Sequence, residues 1–198
     1  AKKKSVSATH VLIDIPVGKG AKVESMQQAK ELKNKFETLA KLIDMKIDVI
    51  ITDGSFPVGR GIGPALEARD VIALFQGSDL CHALREKSIM MAGKLFELTG
   101  KTKKGHGKCF ARYLLDSGKA EKKFWEIVKA QGGKKISVDD IRLARETHDV
   151  IAKTEGKVIH INNKWINKIA RIAGAPLDKE AGVYLHKQRN EIVKKGDV

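Results

Sequence analysis

The sequence predicts an α/β fold: a domain built on a parallel or mixed sheet with helices, followed by a small α+β domain. Three observations lead there. "HVLIDI" (10–15) and "KIDVIIT" (46–52) are short, apolar, β-branched runs of strand type. The stretch between them has helical spacing, and the character of the chain changes after about residue 150.

Each element has a local reason. Asp14 interrupts the first run, which otherwise reads as a buried strand. From Val23 to Ile43 apolar residues fall at 23, 26, 29, 32, 36, 39 and 43, and Ser25 with Gln28 has the S-x-x-Q form of a capping box. Pro64 suits the first turn of a further helix, and Gly77 suits its end. Strand, helix, strand, helix at this spacing predicts two parallel strands joined by a right-handed crossover. Helices are expected over 79–98, 108–117 and 119–130, each closed by glycine. "GGKKISVDDIRLARETHD" (132–149) is polar and weakly periodic and reads as a connection. Beyond it "KVIHIN" is a strand, "NKWINKIARIA" a short helix, and "GVYLHKQRNEIVKKGDV" two β-runs around a polar turn. The expected domains are 1–133 for the α/β part, 134–152 for the linker and 153–198 for the α+β part.

Composition narrows the function classes. A chain of 198 residues with 42% hydrophobic content can bury a sizeable core. No apolar run approaches the roughly 20 residues of a membrane span, and the basic start "AKKKSVSATHVLIDI" has too short an apolar run for a signal peptide. Cys81 and Cys109 lack metal spacing and read as two reduced thiols of a cytoplasmic protein. The net charge of +14 raises the question of nucleic acid, but lysines are scattered and "KTKKGHGK" (101–108) is the one dense cluster. At 5%, aromatics are too few and dispersed for a base-stacking platform, so solvated lysine faces are the expected explanation.

Two glycine segments follow the two strands, where ligands collect in parallel sheets. "PVGKGAK" (16–22) lacks the G-x-x-x-x-G-K-[ST] spacing. "DGSFPVGRGIGPALEARD" (53–70) has glycines at 59, 61 and 63 but Pro64 where a dinucleotide fingerprint wants its last glycine. A structural turn and a ligand-facing loop both stay open. Alternating glycines in so short a loop predict positive φ at one or more of them. Asp14 is expected to accept hydrogen bonds from the adjoining glycine turn, against the alternative of a catalytic carboxylate. His10, His82, His106, His148, His160 and His186 show no metal spacing, and nothing beyond composition supports Ser55 as a nucleophile.

Taken together, "AKKK", "VLIDIPVGKGAKV", "TDGSFPVGRGIGPALEARDV", "VKAQGG" and "AGAPLDKEAGVYLH…VKKGD" resemble the thymidine phosphorylase family. The likeness is to the branch with archaeal AMP phosphorylases and the second type of bacterial thymidine phosphorylase. Phe56 stands where that branch has Gln before Pro57. The resemblance implies a fragment of a longer protein, without the family's helical domain and K-x-S-[ST]-G-G phosphate segment. It implies a pentosyltransferase that phosphorolyses thymidine, with AMP phosphorolysis as the alternative and a basic binding module as the second alternative. Lys2 aligns with the lysine that hydrogen-bonds the base. No cofactor is required, and inorganic phosphate is the co-substrate. In some relatives a potassium ion sits on the equivalent loop; carried over, its ligands are the Val58 and Gly61 carbonyls and the Asp70 carboxylate, where the family has a longer Glu. The implied partners are a nucleoside or nucleotide and phosphate, with a homo-oligomer in the full-length form and neither membrane nor nucleic acid.

Overall fold

The computed structural model describes residues 2–198, apart from the side chain of Lys2. The chain packs into two compact units, each drawing on two stretches: residues up to Gly54 with Glu86–Lys123, and Ser55–Arg85 with Phe124–Val198.

In the first unit, α1 (Lys2–Ser5) precedes β1 (His10–Val17). Helix α2 (Met26–Leu42) leads on to β2 (Lys46–Asp53). The strands are parallel, in register from His10↔Lys46 to Val17↔Asp53, as the βαβ spacing requires. Odd-numbered residues of both strands face α2. Ile15, Ala29 and Val49 are buried together, with Ile13, Val17, Leu32, Phe36, Ile47 and Ile51 packed around them. The helix starts where the sequence places its cap. The Ser25 side chain accepts from Gln28 N, and the Gln28 side chain accepts from the Ser25 N–H.

Helices α4 (His82–Leu98) and α5 (Gly107–Asp116) meet backbone to backbone at a glycine pair. A Cβ on Gly93 would lie 2.6 Å from Lys108 N, so no larger residue fits there. Glu97 Oε1 accepts from the Gly105 and Gly107 amides, both at 3.0 Å, which caps the start of α5 with an anion. Burial alone would raise the Glu86 carboxyl. Hydrogen bonds from Arg112 and Lys108 outweigh that and hold it below its ordinary value. Helix α6 (Lys119–Ala130) follows, matching the predicted range.

The second unit is built on short pieces. Strand β3 (Gly61–Ile62) pairs antiparallel with β5 (Val183–Tyr184), and β4 (Gly156–Lys157) with β6 (Ile192–Val193). Helix α3 (Pro64–Phe75) carries Pro at its start, and Gly77 follows its end at φ +79°. Helix α7 (Asn163–Ile172) is capped by Asn162 Oδ1, which accepts from Lys164 N and Trp165 N. The segment 132–149 is irregular apart from a 3₁₀ turn at Val138–Asp140. The strand expected over "KVIHIN" is shorter than its pattern. Regular pairing stops at Lys157, and two further bonds, Val158 N→Glu191 O and Asn190 N→Val158 O, close the ladder.

Candidate functional site

In the second unit the loop 55–63 is organised by one carboxylate. Asp70, buried on α3, accepts through Oδ2 from Arg60 N at 2.7 Å and Gly61 N at 2.9 Å. Gly63 N donates to Glu67 Oε1 at 3.2 Å. Each of the three glycines is dictated by its surroundings. A Cβ on Gly59 would lie 2.5 Å from Asp70 Oδ2, and one on Gly61 2.5 Å from Leu66 O. Gly63 has φ +133° and ψ 154°, the positive φ that the alternation predicts. The loop is therefore a tight entry into α3.

Arg60 is the hub, and the sequence reasoning missed it. It is buried, and its Nε donates to Leu80 O at 3.2 Å. Nη1 donates to Leu185 O and His186 O at 3.1 and 2.6 Å, and Nη2 to Glu191 Oε1 at 2.6 Å. Gln188 Nε2 donates to Gly59 O at 2.9 Å, and Leu185 N to Arg60 O at the same distance. Arg189 stacks over Phe56 at 5.4 Å and donates to Ser55 Oγ at 3.1 Å. Burial would raise the Glu191 carboxyl, but the Gln188 amide and the Arg60 guanidinium hold it below its ordinary value. Cys81 behaves oppositely: burial, then the nearby Asp70, pushes its thiol up, and it donates to Asp70 O at 3.3 Å. It is a packed thiol, not a nucleophile.

The first unit holds a second polar group, near the carboxyl ends of β1 and β2. Thr52 Oγ1 donates to Asp14 Oδ1 at 2.7 Å, and Lys87 Nζ lies 2.8 Å from Asp14 Oδ2 and 3.2 Å from Thr52 Oγ1. This corrects the expectation that Asp14 serves the adjoining glycine turn. That turn closes through its own backbone, Gly18 N→Val23 O and Ala21 N→Gly18 O, leaving Asp14 to the cation on α4.

The remaining sequence candidates are quickly placed. Backbone of Lys2 belongs to α1, and its side chain lies outside the described residues. No group of three or more His, Cys, Asp or Glu suited to a metal occurs among the described residues. For a cation on Val58, Gly61 and Asp70 the test is the direction of the carboxylate. Asp70 Oδ2 faces two amide donors, with Gly59 packed against it. That oxygen clamps the loop. Cys81 and Cys109 are free thiols, buried and exposed. No described helix is long and apolar enough to cross a membrane.

Parallel strands joined through a helix, with a polar cluster on the pair, define an α/β protein. No family model matches the chain. Over all 198 residues it is 48% identical to AMP phosphorylase 1 of Archaeoglobus fulgidus and 46% identical to a putative thymidine phosphorylase of Legionella pneumophila strain Corby. It is 43% identical, again over its whole length, to the AMP phosphorylase of Methanosarcina mazei. The chain is similar along its whole length to these AMP phosphorylases and putative thymidine phosphorylases, and spans 38–39% of their length.

Proposed function

We propose that the chain is part of a pentosyltransferase that cleaves a nucleoside or nucleotide with phosphate. A phosphate oxygen forms a bond to the anomeric carbon, the bond from that carbon to the base nitrogen breaks, and the base leaves with the electron pair and takes a proton. With thymidine the products are thymine and 2-deoxyribose 1-phosphate; with AMP, the alternative substrate, they are adenine and ribose 1,5-bisphosphate. One observation carries this reading: identity of 42–48% over all 198 residues to proteins named for these two activities. Such a catalyst must hold phosphate, neutralise the departing base and exclude water. In this reading Lys2 meets the base as negative charge grows on it, and the complete protein is a cytoplasmic homo-oligomer. Inorganic phosphate is a co-substrate, and no step runs through a metal.

The test is a chimera in which this chain replaces the matching 39% of the Archaeoglobus fulgidus protein, assayed with AMP, thymidine and uridine, each with phosphate. Phosphate-dependent release of base supports the reading; a folded chimera that releases none refutes it. The chain by itself should not turn over, since the resemblance places the phosphate segment outside it. Multiple turnover at even a hundredth of a typical enzyme rate of about 10 per second would contradict that.

A further inference from the structure

The hydrogen-bond ledger of the Asp14–Thr52–Lys87 cluster leaves both a donor and acceptors unspent. The Lys87 ammonium has three N–H donors, and its partners among the described residues are Asp14 Oδ2 and Thr52 Oγ1. The Thr52 hydroxyl uses its proton on Asp14 Oδ1. Each Asp14 oxygen can accept more than the single bond it has. The two charged side chains keep 13% and 22% of their exposure, so the unspent capacity can reach a ligand. The cluster lies on the face of the β1–β2 pair opposite the α2 core, near the carboxyl ends of both strands. That is the edge where parallel sheets bind ligands.

The pair is electrically neutral as a whole, which disfavours an anion as its ligand. A fixed N–H beside a carboxylate with free lone pairs matches a group that both accepts and donates one hydrogen bond, which is a sugar hydroxyl. Lys87 is pre-oriented for this by its two acceptors, and Thr52 holds the carboxylate in place from the other side. We propose that Asp14 and Lys87 form a pentose-hydroxyl site and determine discrimination between ribosyl and 2-deoxyribosyl substrates. This rests on the phosphorolysis reading for its substrate class. A ribose hydroxyl accepts from Lys87 and donates to Asp14; its absence in a deoxy substrate leaves both charged groups without that partner.

The experiment has two arms. In the first, the isolated chain is titrated with AMP and with 2′-deoxy-AMP while the Lys87 Cε–Hε NMR correlation, assigned by its loss in Lys87→Arg, is followed. A saturable shift with AMP and a weaker one with the deoxy compound is expected. No shift with either, or equal shifts with both, overturns the site whether or not the chimera is active. In the second arm the chimera gives the ratio of kcat/KM for the two nucleotides. Asp14→Asn and Lys87→Met should each cut the ribo-over-deoxy preference about 10- to 100-fold, the scale of one charge-assisted hydrogen bond. The double variant Asp14→Asn/Lys87→Met, which leaves no unpaired charge, guards against misfolding of the single ones. A ratio unchanged in the double variant overturns the proposal, because a merely structural role lowers both rates together. An inactive wild-type chimera with an AMP-specific shift in the first arm leaves the site standing and removes the reaction.

Discussion

Replacing Gly63 by alanine should destabilise the second unit more than the same replacement at Gly77 or Gly156. Two costs add. The residue sits at φ +133° and ψ 154°, a region that is essentially glycine's alone, with a strain of ~1–3 kcal/mol for other residues. The new Cβ would also meet Ala181 O at 2.5 Å and Gly182 Cα at 3.0 Å. These are backbone atoms that cannot rotate away, and such overpacking costs ~1–3 kcal/mol. The sum is roughly 2–6 kcal/mol, which at ~2–4 °C per kcal/mol lowers Tm by roughly 4–24 °C. Two controls separate the terms. Gly77 has φ +79° with nothing within 4 Å of a Cβ, so Gly77→Ala shows backbone strain alone, ~1–2 kcal/mol. Gly156 has neither positive φ nor a neighbour within 4 Å, so Gly156→Ala should be neutral or slightly stabilising. Urea and thermal unfolding of the three variants should rank Gly63→Ala below Gly77→Ala and both below Gly156→Ala. If Gly63→Ala melts with the parent chain, the loop yields at no cost and the account of it as a tight entry turn is wrong.

Three further outcomes follow from particular contacts. Glu191→Gln removes the anion beside Arg60. Breaking a buried pair costs ~3–5 kcal/mol, reduced here to roughly 1–2 because the Glu191 side chain is 39% exposed. Its carboxyl is held low in the folded chain, so its contribution is present above the ordinary value of about 4.3 and fades as pH falls through the folded value. Urea midpoints should fall less steeply with acid in Glu191→Gln than in the parent, and parallel acid profiles would exclude the pair as a source of stability. Ser25→Ala should cost ~1 kcal/mol in the first unit by removing the acceptor for Gln28 N, and unchanged unfolding would show the cap is idle. In the chimera, Lys2→Ala and Lys2→Met should both lose roughly 10²–10³ in kcat/KM with Tm preserved, as for one oxyanion donor, and parental rates in Lys2→Met would remove its charge from the mechanism.

What was legible in the sequence was local. The capping box needs residues three apart, and Ser25 with Gln28 announced it. The prolyl helix start at Pro64 and the glycine after α3 are equally short-range signals. The succession of strand run, helix and strand run announced the parallel pair, whose register the structure adds. The clamp on the loop was not legible, because Arg60 and Glu191 are 131 residues apart and each is ordinary in its own neighbourhood. Its one signal was a lone arginine between two glycines. Asp14 misled for the same reason. Its partner Thr52 is 38 residues away, and Lys87 arrives from another helix, whereas the glycine turn next to it was visible. Strands of two residues, such as β3 and β5, are too short to show a period of two at all. In "KVIHIN" Ile159 and Ile161 have the spacing of one strand face, yet Ile159 is 80% exposed and Ile161 8%, because regular pairing with β6 extends over only two residues.

The two glycine segments looked alike in sequence, and their carboxylates separate them. A phosphate cradle needs amides whose hydrogens are free to converge on an anion. In the loop 55–63 the amides of Arg60 and Gly61 already converge on Asp70 Oδ2, and that of Gly63 on Glu67. The chain thus supplies its own anion where an external one would sit. That is why this glycine-rich loop works as a tight entry into α3. Asp14 has the opposite arrangement. Its oxygens meet side chains, not backbone amides, and the group keeps hydrogen-bonding capacity toward the open end of the strands. Glycine content alone could not tell the two apart; the fate of each amide does. The loop's part is to hold α3 and the 185–191 segment in fixed register with Arg60, and the proposed ligand site is left to the Asp14–Lys87 cluster.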